Sequence, residues 1–153
     1  MNALRCVALI SLVVAAPAMA QQARQPAAAP NTGAGALAPR QDKIFDLGVT
    51  WMAVSLNGKP FAGPDRPSFS IDKQFRARGF GGCNTFAATA FPLREQRLAV
   101  SPLTWTKKQC AAPVMASEMA FFQAIRYAEQ WDQQGSTLIV KSQNGELRFE
   151  RAI

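Results

Sequence analysis

From Thr50 onward the sequence is divided by turn signals into short runs of β-forming residues, and one stretch alone breaks that rhythm. Thr50–Leu56 is rich in β-formers and ends at Asn57-Gly58, a pair that supplies the positive φ angles of a tight hairpin turn. Residues 59–67 hold three prolines and a glycine and read as loop. Ser68–Ile71 is a second strand, turned by Asp72-Lys73-Gln74. Residues 75–80 alternate, with Phe75, Ala77 and Gly79 on one side and Arg76, Arg78 and Phe80 on the other. Residues 85–91, 97–100 and 103–106 supply further extended pieces around Pro92 and Pro102. The interruption is 113–128, where Met115, Met119, Phe122 and Ile125 recur at helical spacing and Pro113 suits a first helical turn. Strands resume at Thr137–Ser142 and 146–151, joined at Asn144-Gly145. Many short antiparallel strands with one interior helix predict a mainly β, α+β domain: a strongly curved sheet or small barrel with the helix closing one end.

Residues 1–20 stand apart from this pattern. Arg5, the apolar run 7–16 and Ala18-Met19-Ala20 have the order of a secretory signal peptide, predicted to be cut after Ala20. The run is shorter than the roughly 20 apolar residues of a membrane span, and no later stretch approaches that length. Residues 21–43 are rich in Ala, Pro, Gln and Gly, with Leu37 the one large apolar side chain, and read as a disordered tether. The folded domain is expected over 44–153. Localisation is therefore expected to be periplasmic or secreted.

The 17 basic and 10 acidic residues give a formal charge of +7, most of it scattered. The densest pairs, Arg76/Arg78 and Lys107/Lys108, do not form a nucleic-acid stripe. The mild basicity instead favours anionic surfaces. Histidine is absent, which removes the usual general base, the usual partner of a Ser or Cys nucleophile and the commonest zinc ligand. No catalytic, cofactor or metal site is expected. Glu118 and Glu129, the nearest acidic pair, would sit roughly 16 Å apart on one helix, too far for paired-carboxylate chemistry. Glu118 reads better as a carboxylate satisfying backbone donors near the helix start.

Past residue 20 there are two cysteines, Cys83 and Cys110. An even count in an exported chain implies an oxidised pair, with two free thiols or a redox-active pair as the alternatives. Cys83 closes the densest glycine stretch, Gly79-Phe80-Gly81-Gly82-Cys83-Asn84. Such glycines mark a position of positive φ or close backbone approach. The stretch reads as a tight structural corner, built on Gly79, Gly82 and Asn84, that aims Cys83 at Cys110; an anion-holding nest of backbone N–H groups is the other reading. Trp51, Trp105 and Trp131 fall on separate elements and read as packing residues, a stacking surface being the alternative.

Taken in order, Trp51, Asn57-Gly58, Gly79, Gly82-Cys83-Asn84 with Phe86, Thr106 with Cys110, Glu118 with Phe121 and Phe122, and the Leu138, Leu147 and Phe149 hairpin resemble the META domain, the family of the heat-shock protein HslJ. The resemblance runs over roughly 46–151. Ala88 and Ala90 depart from it where a glycine and an aromatic are usual, and Lys108-Gln109 where Met-Ala is usual. It implies a compact barrel-like domain packed by a helix in the bacterial envelope, linked to stress tolerance, with no established enzyme activity and no established ligand; no enzyme activity and no cofactor are expected here. The resulting expectation is a monomeric accessory or binding module that contacts an envelope protein or an anionic envelope component. The alternative is a carrier of a small apolar ligand in the barrel interior.

Overall fold

The computed structural model describes residues 42–153; the predicted signal peptide and nearly all of the predicted tether lie outside them. Within the described residues the strands are β1 (Thr50–Leu56), β2 (Ser68–Ile71), β3 (Arg76–Phe80), β4 (Thr85–Pro92), β5 (Leu98–Val100), β6 (Thr104–Trp105), β7 (Ala128–Gln134), β8 (Thr137–Ser142) and β9 (Gly145–Arg151). The one α-helix among the described residues, α1, is Ala112–Arg126. The strands form one antiparallel sheet in the order β5-β4-β3-β2-β1-β9-β8-β7, with β6 added to β4. The sheet curls until its two edges touch at one bridge, Arg97 to Gln130, so it is nearly closed into a barrel. This is the expected mainly β fold with one helix.

Alternation explains which side faces inward. Trp51, Ala53 and Ser55 on β1, Leu147 and Phe149 on β9, and Leu138 and Val140 on β8 are buried. Register makes these sets meet: Ala53 lies opposite Phe149, which lies opposite Leu138. The helix then fills one end. Its Phe121 ring sits 6.0 Å from Phe86, 6.3 Å from Phe149 and 5.7 Å from Phe61. Side chains such as Trp51, Phe69, Phe121, Ile125 and Leu138 are completely buried, so the interior is filled.

Five local expectations need correction. Met119 is 40 % exposed, because the inward arc of α1 is Glu118, Phe121, Phe122 and Ile125. A search for apolar spacing passes over a buried glutamate. The helix also ends at Arg126, and β7 begins at Ala128, a strand the sequence pattern did not reveal. Only Ala128 and Trp131 of AEQWDQQ are buried, and a bulge between Ala128 and Gln130 breaks the period of two. Phe75 does not start β3: it sits in the preceding turn at φ 61, 39 % exposed, while Asp72 Oδ1 accepts the Gln74 and Arg76 N–H groups.

The last two corrections concern Asn-Gly pairs. Asn57 and Gly58 have φ of 52 and 74 as expected, but the reversal carries one bridge, Leu56 to Lys59, before the chain enters a loop. The β8–β9 turn residues are Gln143 and Asn144, because Ser142 already pairs with Gly145. Gly145 serves a different purpose. Asn57 Oδ1 accepts the Glu146 N–H at 2.8 Å, and a Cβ on Gly145 would overlap the Asn57 amide.

Residues 42–49 form a strap over the barrel end opposite α1. Lys43 donates to Asp132 Oδ1 and Gln133 O, Phe45 meets Trp131 edge-on at 5.1 Å, and Asp46 accepts from Gln133 and Arg151. The lysine hydrogen bond, helped by Gln134, holds the Asp132 carboxyl below its ordinary range.

Gly79 gives a direct test of the packing. It lies mid-strand opposite Phe86, whose ring covers it, and a Cβ there would overlap the Ser68 carbonyl oxygen. Gly79→Ala is expected to cost about 3 kcal/mol. That should lower the thermal midpoint by roughly 10 °C or more.

Candidate functional site

The glycine corner joins β3 to β4 at the helix end of the barrel. Gly81 donates to Asn84 O across the turn, and Gly82 reverses the chain at φ 116. This aims two successive backbone N–H groups, those of Cys83 and Asn84, at the helix. Glu118 meets them: its Oε1 accepts from Cys83 N at 3.1 Å and from Asn84 N at 2.6 Å. Its Oε2 accepts from Asn84 Nδ2 at 2.7 Å. Glu118 and Asn84 are each 2 % exposed. The corner is therefore both structures the sequence suggested, a tight turn and a nest of N–H groups, and the anion in the nest is the protein's own glutamate. Glu118 does satisfy backbone donors, but they belong to this corner and not to its own helix.

Gly81 is required by this contact. A Cβ there would lie 2.6 Å from Glu118 Oε1 and 2.6 Å from the Phe122 ring. Gly79, in contrast, belongs to the strand and not to the turn.

Asn84 extends the network outward. Its Oδ1 accepts from Thr106 Oγ1 at 2.8 Å and from Lys108 N at 2.7 Å, while Nδ2 also reaches Lys108 O at 3.4 Å. One buried side chain thus fixes both the carboxylate behind it and the loop in front of it. The Cys83–Cys110 disulfide adds a covalent tie, with Cα atoms 6.1 Å apart. The thiols therefore form the structural pair.

The loop so held is a surface feature. Residues 104–113 are all exposed. Trp105 is 42 % exposed, with the inner part of its ring 5.4 Å from Phe122. Lys107 and Lys108 follow, and neither has an ion pair among the described residues. Of the three tryptophans, Trp51 and Trp131 are packing residues and Trp105 alone presents a face to solvent. Arg76 pairs with Asp72 at 2.7 Å, whereas Arg78 lies opposite Ala87 on the outer face. Glu129 is not near Glu118 in role or setting: it is exposed on β7 and accepts from Gln143. The Asn84–loop link carried no sequence signal, since its partners lie 22 and 24 residues away. A glutamate on the apolar arc of α1, opposite a glycine pair, was the available hint for the Glu118 contact.

The geometry defines a small, helix-plugged antiparallel barrel whose β3–β4 corner is held by a buried carboxylate and a disulfide. A META domain family model matches residues 45–152, and the chain belongs to that family. Among solved structures, one protein determined by NMR has 20 % identity and a TM-score of 0.56, covering 67 % of this chain and 87 % of its own. A protein from Burkholderia xenovorans, also determined by NMR, has 18 % identity and a TM-score of 0.56, covering 74 % of this chain and 96 % of its own. These likenesses concern the fold. A DUF4847 family protein from Bacteroides vulgatus has 13 % identity and a TM-score of 0.49, covering 67 % of this chain and 91 % of its own. No curated protein matches the sequence.

Two measurements test the corner. Glu118→Ala leaves the Cys83 and Asn84 donors without their acceptor and is expected to cost about 4 kcal/mol in urea unfolding, given roughly 1–3 kcal/mol per orphaned buried group. Glu118→Gln keeps one acceptor oxygen and should cost about half as much. Replacing both cysteines by serine opens a loop closed across 27 positions and should cost about 3–4 kcal/mol, measured the same way.

Proposed function

We propose that this META domain is a non-enzymatic binding module of the bacterial envelope, acting in envelope stress, that engages an anionic headgroup through its Trp105–Lys108 loop. The observation that carries the reading is the juxtaposition of a half-exposed tryptophan with two outward lysines on a loop held by Asn84 and the disulfide. An aromatic platform beside cations suits an anionic sugar or phosphate, and a rigid loop loses little entropy on binding. The predicted leader over residues 1–20 supports export to the compartment where such headgroups occur and where the disulfide persists.

The chemistry of the corner also favours binding over catalysis. Its carboxylate is buried and accepts three hydrogen bonds, and its cysteines are bonded to each other. The filled interior favours surface recognition over carriage of an apolar ligand. A depression of about 580 Å³ lies where β5 and β7 approach, and Arg126 bridges its wall by donating to Val100 O.

Lipopolysaccharide micelles and phosphatidylglycerol vesicles are expected to blue-shift tryptophan fluorescence and to bind with an affinity that falls as salt rises. Phosphatidylcholine vesicles should not bind. Trp105→Ala and the double change Lys107→Ser/Lys108→Ser should each weaken binding about tenfold, and the lysine variant should leave the unfolding midpoint little changed because both lysines are exposed. Equal binding to charged and neutral vesicles, or indifference to both variants, overturns the reading.

A further inference from the structure

We infer that the strap end of the barrel is a second binding site, for a small zwitterion with an apolar side chain, of the size of an amino acid or dipeptide. The starting point is an imbalance between the two ends. At the helix end the two most deeply buried polar side chains, Glu118 and Asn84, are satisfied by protein partners. The buried side-chain atoms without a protein partner among the described residues are Trp51 Nε1, Trp131 Nε1, Gln96 Nε2 and Gln133 Oε1. All four belong to the strap end. Trp51 opens β1 beneath the Arg151 guanidinium, which reaches Asp46, and Asp46 in turn accepts from Gln133. Gln133 shares the inward face of β7 with Trp131, and Gln96 and Trp131 line one depression.

Folded proteins rarely leave such groups unmatched, and a cluster of them marks a place where an outside molecule completes the bonding. Of these residues Gln96 and Trp131 line a common depression, and their two donors, Gln96 Nε2 and Trp131 Nε1, call for a ligand that presents acceptors, as a carboxylate does. The surroundings narrow the class. The depression shared by Gln96 and Trp131, about 240 Å³, is rimmed by Lys43 and Lys141 and by Glu95 and Asp132. Lys43 and Asp132 pair with each other, whereas Lys141 has only a long, exposed contact to Glu146 at 3.9 Å that a ligand carboxylate can displace, and Glu95 is left to face an ammonium. On the other side of Lys43 and Trp131 is a second depression of about 270 Å³, whose walls include Ile44, Leu47, Phe75, Pro92 and Leu93. Charged groups on one side and an apolar hollow on the other match the two halves of an amino acid. The volumes suit nothing larger.

Backbone strain gathers at the same end. Three of the non-glycine residues with positive φ, Phe75 at 61, Glu95 at 59 and Gln96 at 54, border these depressions. A phenylalanine in that region is held against its preference, and here it lines the apolar hollow.

The test uses the full chain and the indole N–H resonances of its three tryptophans. L-leucine and Gly-Leu are the probes, acetate is the single-charge control, and Trp105 is the internal reference. Leucine or Gly-Leu is expected to shift the Trp131 indole signal saturably at millimolar concentration while Trp105 stays put. Gln96→Leu should weaken that binding by at least about tenfold. Trp131→Phe, which preserves ring packing, should do the same when followed through the Gln96 side-chain amide. Both variants must keep the wild-type backbone spectrum; if either does not, Glu95→Gln serves in its place. The proposal is overturned if the indoles stay unmoved, if acetate shifts them as strongly as leucine, or if long-lived water contacts to the indole N–H persist in saturating leucine.

Discussion

The arrangement at the helix end depends on one carboxylate. A carboxylate at 2 % exposure, as Glu118 is, must find its compensation in hydrogen bonds or an opposite charge. It has no cation. It has three N–H donors, two from a backbone that glycine allows to turn and one from an asparagine held by its own further bonds. The dependence is mutual. The corner needs an acceptor for its converging N–H groups, and the helix needs donors for its inward glutamate, so α1 is seated over the barrel in one orientation. Phe121 and Phe122, on the same arc, then take the ring contacts that fill the barrel end.

Within this arrangement the disulfide and Asn84 act on different parts of one loop. The covalent bond ties Cys110, just before α1, to the corner. Asn84 holds the loop earlier, at Thr106 and Lys108. Between them only Lys107 and Gln109 lack a direct link to the corner, so the segment that follows Trp105 has little conformational freedom to lose. A loop this exposed is usually the mobile part of a small domain. Here it is the part most firmly attached to a buried network.

Much of this fold was legible as pattern. The alternation in β1, β8 and β9 and the turn signals around them gave the mainly β architecture, because those strands bury one face and obey a period of two. β7 was hidden for the converse reason: its bulge breaks the period, and Trp131 is the one large apolar side chain in seven residues. The helix was visible but rotated, because Met119 looks like a core residue and Glu118 does not. The corner was legible in composition, and the pairing of Cys83 with Cys110 in cysteine count. What the pattern could not supply was the partner of each buried polar group. Glu118 lies 35 and 34 residues from its backbone donors, and no local rule links positions so far apart.

The two ends of the barrel are closed by different physics, and this sets where the domain yields. The helix end is shut by packed aromatics, a buried carboxylate with its hydrogen bonds and a covalent bond. The strap end is shut by Phe45 against Trp131 and by pairs such as Lys43–Asp132 and Asp46–Arg151, whose side chains are between 35 % and 47 % exposed. Exposed pairs of that kind contribute little and weaken with salt. The seam between the sheet edges carries one backbone bridge, Arg97 to Gln130. Local opening in folded domains follows the distribution of buried contacts. Local opening is therefore expected first where the strap lies over Trp51 and Trp131, before the helix end with its buried network and disulfide gives way.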